Sequence, residues 1–215
     1  MNSGNTKLKI CGIRSLEEAE ELQNLEIDYL GCIFAKSPRQ VTVELASKIT
    51  YIAHCKEKKT VGVFVNETIE YIVKIIVRTE IDVIQLHGNE TPEYCEEMAK
   101  KVRRINEKFN RDVKLWKVFP VKDQLPKIKH YLPHIEYPLF DTKGKHKGGN
   151  GIIFDWDILK EMGEKKFILA GGLSPENIEE ALKYRPVILD VNSKVEVNDR
   201  KDSNLVNKII NIVKQ

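Results

Sequence analysis

The sequence lacks the features that mark membrane and nucleic-acid-binding proteins. No apolar run approaches the roughly 18 residues that a membrane-spanning helix needs, and the longer runs resemble Leu30–Ala35 in length. The 215 residues carry 35 Lys and Arg against 32 Asp and Glu, a net charge of +3 without a concentrated basic region. We therefore expect a protein that binds neither membranes nor nucleic acid.

Cysteine is scarce, and no CxxC pair occurs. The four cysteines are widely spaced: Cys11, Cys32, Cys55 and Cys95. Such a cysteine-poor chain of this length argues against a disulfide framework. No apolar signal core precedes the first predicted strand. We expect free thiols and a reducing cytoplasm.

Neither a Pro/Gly/Ser-rich linker nor a dinucleotide-binding fingerprint is present. A GxGxxG motif would follow the first strand of a Rossmann fold, but residues 11–15 read Cys-Gly-Ile-Arg-Ser. The missing fingerprint argues against a Rossmann fold. Because no linker divides the chain, it is predicted to form one domain, 1–215.

Eight short, nearly continuous apolar runs are typical of strands buried on both faces of a parallel sheet. They are Lys7–Cys11, Tyr29–Phe34, Thr60–Val65, Asp82–Leu86, Val113–Phe119, Pro138–Asp141, Phe167–Ala170 and Val187–Val191. Eight parallel strands close most simply into a single (β/α)8 TIM barrel, an α/β fold, with an open doubly wound sheet as the alternative.

Amphipathic segments separate these runs. Helices are predicted over Ser15–Leu22, Val43–His54, Ile69–Val77 and Asp202–Val213, and two more begin at Pro92 and Pro175, each after a capping residue. The fifth helix is predicted to be shortened or irregular, because proline interrupts and ends Val121–Leu132.

Glycine and small polar residues follow the sixth, seventh and eighth strands. In a barrel the carboxyl ends of all strands meet at one rim, where the loops after strands seven and eight often bind phosphate. Unshielded backbone N–H groups suit such an anion. The candidate phosphate-binding residues are Gly149, Gly171, Gly172, Asn192 and Ser193. The alternative is that these glycines only permit tight turns.

A thiol and a carboxyl end two strands on opposite sides of this rim. Cys11 ends the first strand and Asp141 ends the sixth. Flanking one ligand, the two groups could move protons in opposite directions, provided that positive charge favours the thiolate and that an apolar mouth keeps the carboxyl protonated. A small buried hydrophobe and a turn cap are the alternatives, and spacing alone does not exclude them.

Eight motifs in order resemble the phosphoribosylanthranilate isomerase family of tryptophan biosynthesis. They are KICG at Lys9–Gly12, SPR at Ser37–Arg39, GVFVN at Gly62–Asn66, QLHG at Gln85–Gly88, LFDT at Leu139–Thr142, GGNG with FDW at Gly148–Trp156, AGGL-x-PEN at Ala170–Asn177, and the segment from Asp190. Each motif is weak alone, but together they span Lys9 to Asp202.

The resemblance implies a single barrel that carries out an Amadori rearrangement without metal or cofactor. N-(5-phospho-β-D-ribosyl)anthranilate would become 1-(2-carboxyphenylamino)-1-deoxy-D-ribulose 5-phosphate. It implies that Cys11 is the general base and Asp141 the general acid. It also implies that Arg39 pairs with the anthranilate carboxylate and that Asp190 contacts the substrate amine.

Strand parity adds a hypothesis about Lys9. Lys9 and Cys11 should both point into the barrel, and an unpaired buried ammonium is costly. Since Asp190 ends the strand that closes against the first one, we expect it to pair with Lys9.

The sequence departs from the family in the strand-eight loop. Lys194 stands where the family usually has glycine, and Asn198-Asp199-Arg200 replaces the customary Pro-Gly before Lys-Asp. If position 194 needs a positive φ, lysine adds strain of about 1 kcal/mol or changes the loop. Alternatively, its ammonium contacts the phosphate.

Two other interpretations remain at this stage. The histidine-pathway isomerase should end its first strand with an aspartate and show a two-fold repeat. A barrel that binds phosphate without catalysis is the alternative outside enzymes. We expect a monomer or a homodimer.

Overall fold

A closed barrel of eight parallel strands forms the centre of the protein. The computed structural model describes residues 6–142 and 155–214. The strands are β1 (Lys7–Cys11), β2 (Tyr29–Ile33), β3 (Lys59–Phe64), β4 (Val83–Leu86), β5 (Lys114–Val121), β6 (Tyr137–Thr142), β7 (Ile168–Ala170) and β8 (Ile188–Val191). Each strand pairs with its neighbours in chain order, and β1 also pairs with β8. The predicted TIM barrel is confirmed.

Helices follow most of the strands on the outside. They are α1 (Leu16–Leu22), α2 (Val43–His54), α3 (Ile69–Thr79), α4 (Pro92–Phe109), α5 (Ile178–Leu182) and α6 (Ser203–Val213). A 3-10 helix, Trp156–Met162, lies between β6 and β7. Side-chain caps begin α1, α2, α3 and α4. Within the described residues, none of the helices is long and apolar enough to cross a membrane.

The connection from β5 to β6 contains no α-helix, as its prolines predict. Single turns take its place, in which Tyr131 N–H donates to the Ile128 carbonyl and His134 N–H donates to the Tyr131 carbonyl, both at 2.9 Å. The shortened fifth helix is therefore confirmed. The segment remains against the barrel because the Tyr131 ring packs edge-on against Phe119, with centroids 5.0 Å apart.

The prediction that a helix begins at Pro175 is wrong. The helix after β7 begins only at Ile178. The Asn177 side chain accepts from Ser174 N–H at 2.9 Å, and Asn177 N–H donates to the Ser174 carbonyl at 3.0 Å. These bonds close a turn over Ser174–Asn177 before the helix starts, so the Ser174 hydroxyl does not act as the helix cap.

Two apolar layers hold the barrel together. The interior is filled by Tyr29, Val61, Val83, Trp116, Val118, Leu139, Ile168, Ala170 and Ile188. A larger layer packs the outward-facing strand residues against the helices. Trp116 is fully buried in the interior, and its indole N–H donates to Glu136 at 2.8 Å. The apolar interior supports the polar rim above it.

An ion pair joins the end of α2 to the start of β4 on the side opposite this rim. His54 Nε2 lies 3.0 Å from Asp82 Oδ2, which also accepts from Thr60 N–H at 2.7 Å. The hydrogen bond with Asp82 raises the pKa of His54 above its ordinary value. Burial alone would raise the pKa of Asp82, but the bonds from His54 and Thr60 lower it.

We expect this pair to stabilise the fold most between about pH 4 and pH 6.5. The His54 contribution is complete below its unfolded pKa and is lost as pH rises through its raised folded pKa. The Asp82 contribution is lost as pH falls through its lowered folded pKa. Urea unfolding should show that His54→Gln destabilises more at pH 5.5 than at pH 8.5, by less than about 1 kcal/mol since solvent screens the pair.

The matched control is His130→Gln. His130 is exposed and has no ion-pair partner in the described part of the chain. A His54→Gln effect that does not change with pH would contradict the prediction.

Candidate active site

A cavity of about 250 Å³ opens at the carboxyl ends of the strands. It is lined by Cys11, Ile33, Val63, Gln85, His87, Asp141, Ala170, Gly171, Gly172, Leu173, Asp190, Asn192, Ser193 and Lys194. Its walls thus combine a thiol, carboxyl groups, an imidazole and glycine-rich backbone. All of the described candidate residues except Arg39 line it.

Cys11 reaches this cavity from the last position of β1. It pairs in register with Gly31 of β2. A Cβ atom on Gly31 would lie 2.8 Å from Cys11 Sγ and 3.2 Å from Lys9 Cε. Such contacts are too short for carbon, so the side chains of Lys9 and Cys11 occupy the space that this glycine leaves open.

Lys9 is buried inside the barrel and bonded to Asp190. Lys9 Nζ donates to Asp190 Oδ2 at 2.6 Å, and the two residues are register partners on β1 and β8. The Lys9 side chain has no exposed surface. Although burial favours the neutral amine, the Asp190 carboxylate holds the pKa of Lys9 above its ordinary value. The predicted pair is confirmed.

The groups around Cys11 shift the pKa of its thiol in opposite directions. Burial raises the pKa of its thiol above the ordinary range, and the ammonium of Lys9 offsets part of that increase. The carboxylate of Asp190 adds to the increase. The free protein therefore holds Cys11 mainly as a thiol, with Lys9 beside it as the cation that would accompany a thiolate.

Asp141 faces the same cavity from β6. Its Oδ2 lies 3.4 Å from His87 Nε2, and the side chains of both are roughly a third exposed. The loop after β4 brings an imidazole beside the carboxyl, so the surroundings of Asp141 are polar on this side. His87 belongs to the QLHG motif, but no role was predicted for it.

Gly171 allows the next loop to approach Asp141 closely. Its φ is +87°, and a Cβ atom there would lie 2.6 Å from Asp141 Oδ1 and 2.5 Å from Thr142 Oγ1. The positive φ and the short approach both require glycine. Gly172 follows with a φ of +68°, so the loop turns sharply at the wall of the cavity.

A buried carboxylate fixes the loops that present His87. Glu90 accepts from the backbone N–H groups of Asn66 at 2.9 Å and Gly88 at 3.0 Å. Lys117 Nζ lies 3.1 Å from Glu90 and donates to the Gly88 carbonyl at 2.9 Å. Neither Glu90 nor Lys117 was predicted, although a carboxylate three residues after His87 is visible in the sequence.

The candidate phosphate side of the cavity includes Asn192, Ser193 and Lys194 from the loop after β8. Ser193–Val195 forms a 3-10 turn, and Lys194 does not have a positive φ. The strain considered for lysine at this position is therefore absent. Gly149, the remaining candidate, lies outside the described residues.

The Asn198-Asp199 departure has a clear structural role. Short strands β9 (Glu196–Val197) and β10 (Arg200–Lys201) form an antiparallel hairpin after the 3-10 turn. Asn198 and Asp199 join them with φ values of +49° and +62°. Two left-handed residues are typical of a tight hairpin turn, and Asn and Asp adopt them readily.

Arg39 lies beside the cavity and is held by this hairpin. Its Nε and Nη2 donate to the two carboxylate oxygens of Glu196 at 2.8 Å and 2.5 Å. Lys201 Nζ donates to the same carboxylate at 2.6 Å and to Asn192 Oδ1 at 2.9 Å. Glu196 and Lys201 were not predicted as site residues, because Glu196 meets Arg39 only through the fold and Lys201 joins the cluster through Glu196.

The hairpin is also bonded to the first helix. Lys201 N–H donates to Glu18 Oε1 at 3.0 Å, and the other oxygen of Glu18 accepts from Arg14 N–H at 2.9 Å. Glu18 is buried despite its charge. One carboxylate therefore joins the loop after β1 to the loop after β8.

Comparison with known proteins identifies the family. A family model described as N-(5'phosphoribosyl)anthranilate (PRA) isomerase matches residues 8–212. The N-(5'-phosphoribosyl)anthranilate isomerase of Campylobacter jejuni is 43% identical over 209 residues, covering 97% of this chain and 98% of the relative. The enzyme of the same name from Thermoanaerobacter pseudethanolicus is 40% identical, covering 91% and 92%.

Similarity to solved structures supports the same family. Phosphoribosyl anthranilate isomerase from Thermotoga maritima superposes with a TM-score of 0.82 at 31% identity, covering 97% of this chain and 98% of that one. A second such isomerase, in complex with reduced 1-(o-carboxyphenylamino)-1-deoxyribulose 5-phosphate, has a TM-score of 0.79 at 29% identity, with the same coverage. This chain belongs to the N-(5'-phosphoribosyl)anthranilate isomerase family.

Proposed function

We propose that this enzyme converts N-(5'-phosphoribosyl)anthranilate into 1-(2-carboxyphenylamino)-1-deoxy-D-ribulose 5-phosphate, with Asp141 as acid and Cys11 as base. The observation that carries the assignment is that a carboxyl and a thiol from β6 and β1 line one small cavity. Family membership supports the reaction, and the cavity supports the two residue roles.

Asp141 acts first in this scheme. Its carboxyl gives a proton to the furanose ring oxygen, the bond from that oxygen to C1′ breaks, and the nitrogen lone pair forms the C1′–N double bond of a Schiff base. His87, 3.4 Å away, is placed to exchange a proton with Asp141 between turnovers. No redox cofactor is required, since no electrons leave the substrate.

Cys11 completes the rearrangement. Its thiolate takes the proton from C2′, and the C2′–H electron pair forms a C1′–C2′ double bond as the iminium nitrogen regains its lone pair. The resulting enol-amine tautomerises to the ketone. The adjacent ammonium of Lys9 favours the thiolate form that this step needs.

The two anionic ends of the substrate have separate partners. Gly171, Gly172, Asn192 and Ser193, together with Gly149, are proposed to bind the phosphate through backbone N–H and polar groups. Arg39 is proposed to bind the anthranilate carboxylate. A guanidinium has five N–H donors, so Arg39 keeps donors for a ligand after Nε and Nη2 bond to Glu196.

Asp190 is proposed to contact the substrate amine. Its Oδ2 is bonded to Lys9, whereas its Oδ1 is buried without a hydrogen-bond partner among the described residues. An amine N–H would supply the missing donor.

The reaction is tested by following the loss of substrate fluorescence as phosphoribosylanthranilate is consumed. Turnover by the purified chain supports the proposal. Binding of the reduced product analogue without turnover would instead favour a barrel that binds phosphate and has lost catalysis, and it would refute the roles of Cys11 and Asp141.

Arg39→Ala should raise KM by about tenfold or more and change kcat little, because the carboxylate contact is present in both the ground state and the transition state. The loss of Arg39 also leaves the Glu196 carboxylate to repel the ligand. Steady-state kinetics provide the measurement, with Lys36→Ala, an exposed cation in the same loop, as the control. An unchanged KM would remove Arg39 from the binding site.

We further propose that residues 1–215 form one catalytic domain that works in the cytoplasm as a monomer or a homodimer. The free state of all four cysteines supports a reducing compartment. A Thermotoga maritima relative is described as monomers generated from a dimeric isomerase.

A further inference from the structure

One buried amide in the cavity has no role in the mechanism above. Gln85 lies on β4 and lines the cavity together with Cys11 and Asp141. Only 1% of its surface is exposed. It therefore lies below the rim, in the wall of the cavity, where bulk water does not solvate it.

The amide oxygen of Gln85 is not satisfied by the described part of the protein. Its Oε1 is buried and has no hydrogen-bond partner in residues 6–142 and 155–214. Its register partners on the flanking strands are Val63 and Trp116. Valine has no polar group, and the indole N–H of Trp116 already donates to Glu136. A buried acceptor left in this state costs stability.

The position of Gln85 indicates which group on the ligand would satisfy it. The proposed partners of the phosphate and of the aryl carboxylate lie in the loops, whereas Gln85 lies between Cys11 and Asp141 in the lining of the cavity. The sugar carbons connect the two anionic ends of the substrate. A neutral amide suits a neutral hydroxyl, because each can donate and accept.

We propose that Gln85 is a specificity-determining residue that accepts a hydrogen bond from the C3′ hydroxyl of the sugar. The inference rests on the proposed function. The C2′ hydroxyl becomes the ketone during the reaction and the ring oxygen takes a proton, whereas the C3′ hydroxyl is unchanged throughout. A contact with this hydroxyl holds the carbon chain in place while the ring opens.

The test measures binding, so that it does not depend on turnover. Calorimetry gives Kd for the reduced product analogue and for its 3′-deoxy counterpart, with the wild type and with Gln85→Met. The wild type should bind the hydroxyl-bearing ligand about tenfold more tightly, because the deoxy ligand leaves the amide unpaired. Gln85→Met should bind both ligands equally.

Val63→Ala is the matched control, because it changes the volume of the same cavity on the neighbouring strand without removing a polar group. It should keep the preference for the hydroxyl. Gln85→Leu is a second variant in case methionine packs poorly. Equal binding of both ligands by the wild type, or an unchanged preference in both Gln85 variants, would overturn the proposal.

Stability gives an independent readout. Gln85→Met should raise the melting temperature of the free protein, because it removes an unpartnered acceptor from the interior. A wild type that prefers the hydroxyl-bearing analogue but does not turn over substrate would refute the proposed function, and loss of that preference in Gln85→Met would still support the role of Gln85.

Discussion

Cys11→Ser is expected to lower kcat/KM by about a thousandfold, since a hydroxyl is a far weaker base than a thiolate near neutral pH. Serine is smaller than cysteine, so the substitution fits beside Gly31 without displacing β2. The measurement is the rate of fluorescence loss with phosphoribosylanthranilate. Cys55→Ser, at an exposed cysteine, is the matched control and should keep full activity.

Asp141→Asn should cause a loss of similar size, because an amide cannot deliver a proton to the ring oxygen. Asparagine keeps the shape of the side chain beside Gly171, so the protein should retain its stability. Undiminished turnover in both variants would show that neither group takes part in the chemistry.

The pH dependence distinguishes the base from the acid. As the proposed base, Cys11 would act only when deprotonated, and burial raises the pKa of its thiol above the ordinary value of about 8.5. The kcat/KM of the wild type should therefore still be rising as pH increases through 8. This rising limb should be absent from the residual activity of Cys11→Ser.

Lys9→Met is expected to lower the free energy of unfolding by about 3–5 kcal/mol, the largest effect on stability that we predict. The variant leaves the Asp190 carboxylate buried between β1 and β8 without its partner. Urea unfolding monitored by tryptophan fluorescence gives the measurement. Lys7→Met, at an exposed position on the same strand, should have little effect.

The double variant Lys9→Met/Asp190→Leu tests the physical cause. If the cost comes from an unpaired buried charge, removing the second charge should restore most of the stability, because well-packed apolar residues often replace a buried ion pair without loss. A double variant as unstable as Lys9→Met would instead mean that the methionine packs poorly among the inward-facing residues.

The strands were predictable because their determinants are local, and the central ion pair was predictable because a closed barrel places β8 beside β1. Strands buried on both faces need continuous apolar residues, and the predicted limits differ from the observed ones by no more than two residues. The Lys9–Asp190 pair followed from the alternating side-chain directions along β1, which point Lys9 into the barrel, and from closure of the barrel, which places β8 beside β1. Proline chemistry likewise predicted the missing helix after β5.

Contacts that loop residues make with distant segments were not predictable. Arg39 meets Glu196 across 157 positions, and no local pattern indicates that pairing. The contact between His87 and Asp141 depends equally on how the loops fold over the rim. At Pro175 a local signal was outweighed by the Asn177 side chain, which closed a turn before the helix began.

The hydrogen bond between Glu18 and the hairpin of β9 and β10 bears on the order in which parts of the chain fold. Glu18 belongs to the first helix of the chain and Lys201 to its last loop, so this bond can form only after nearly the whole polypeptide has been brought together. The loop after β8, which we propose binds the phosphate, should thus be among the last parts to reach its final shape. During refolding, the ability to bind ligand would then report on closure of the barrel. It would appear later than the far-ultraviolet circular dichroism signal of the helices.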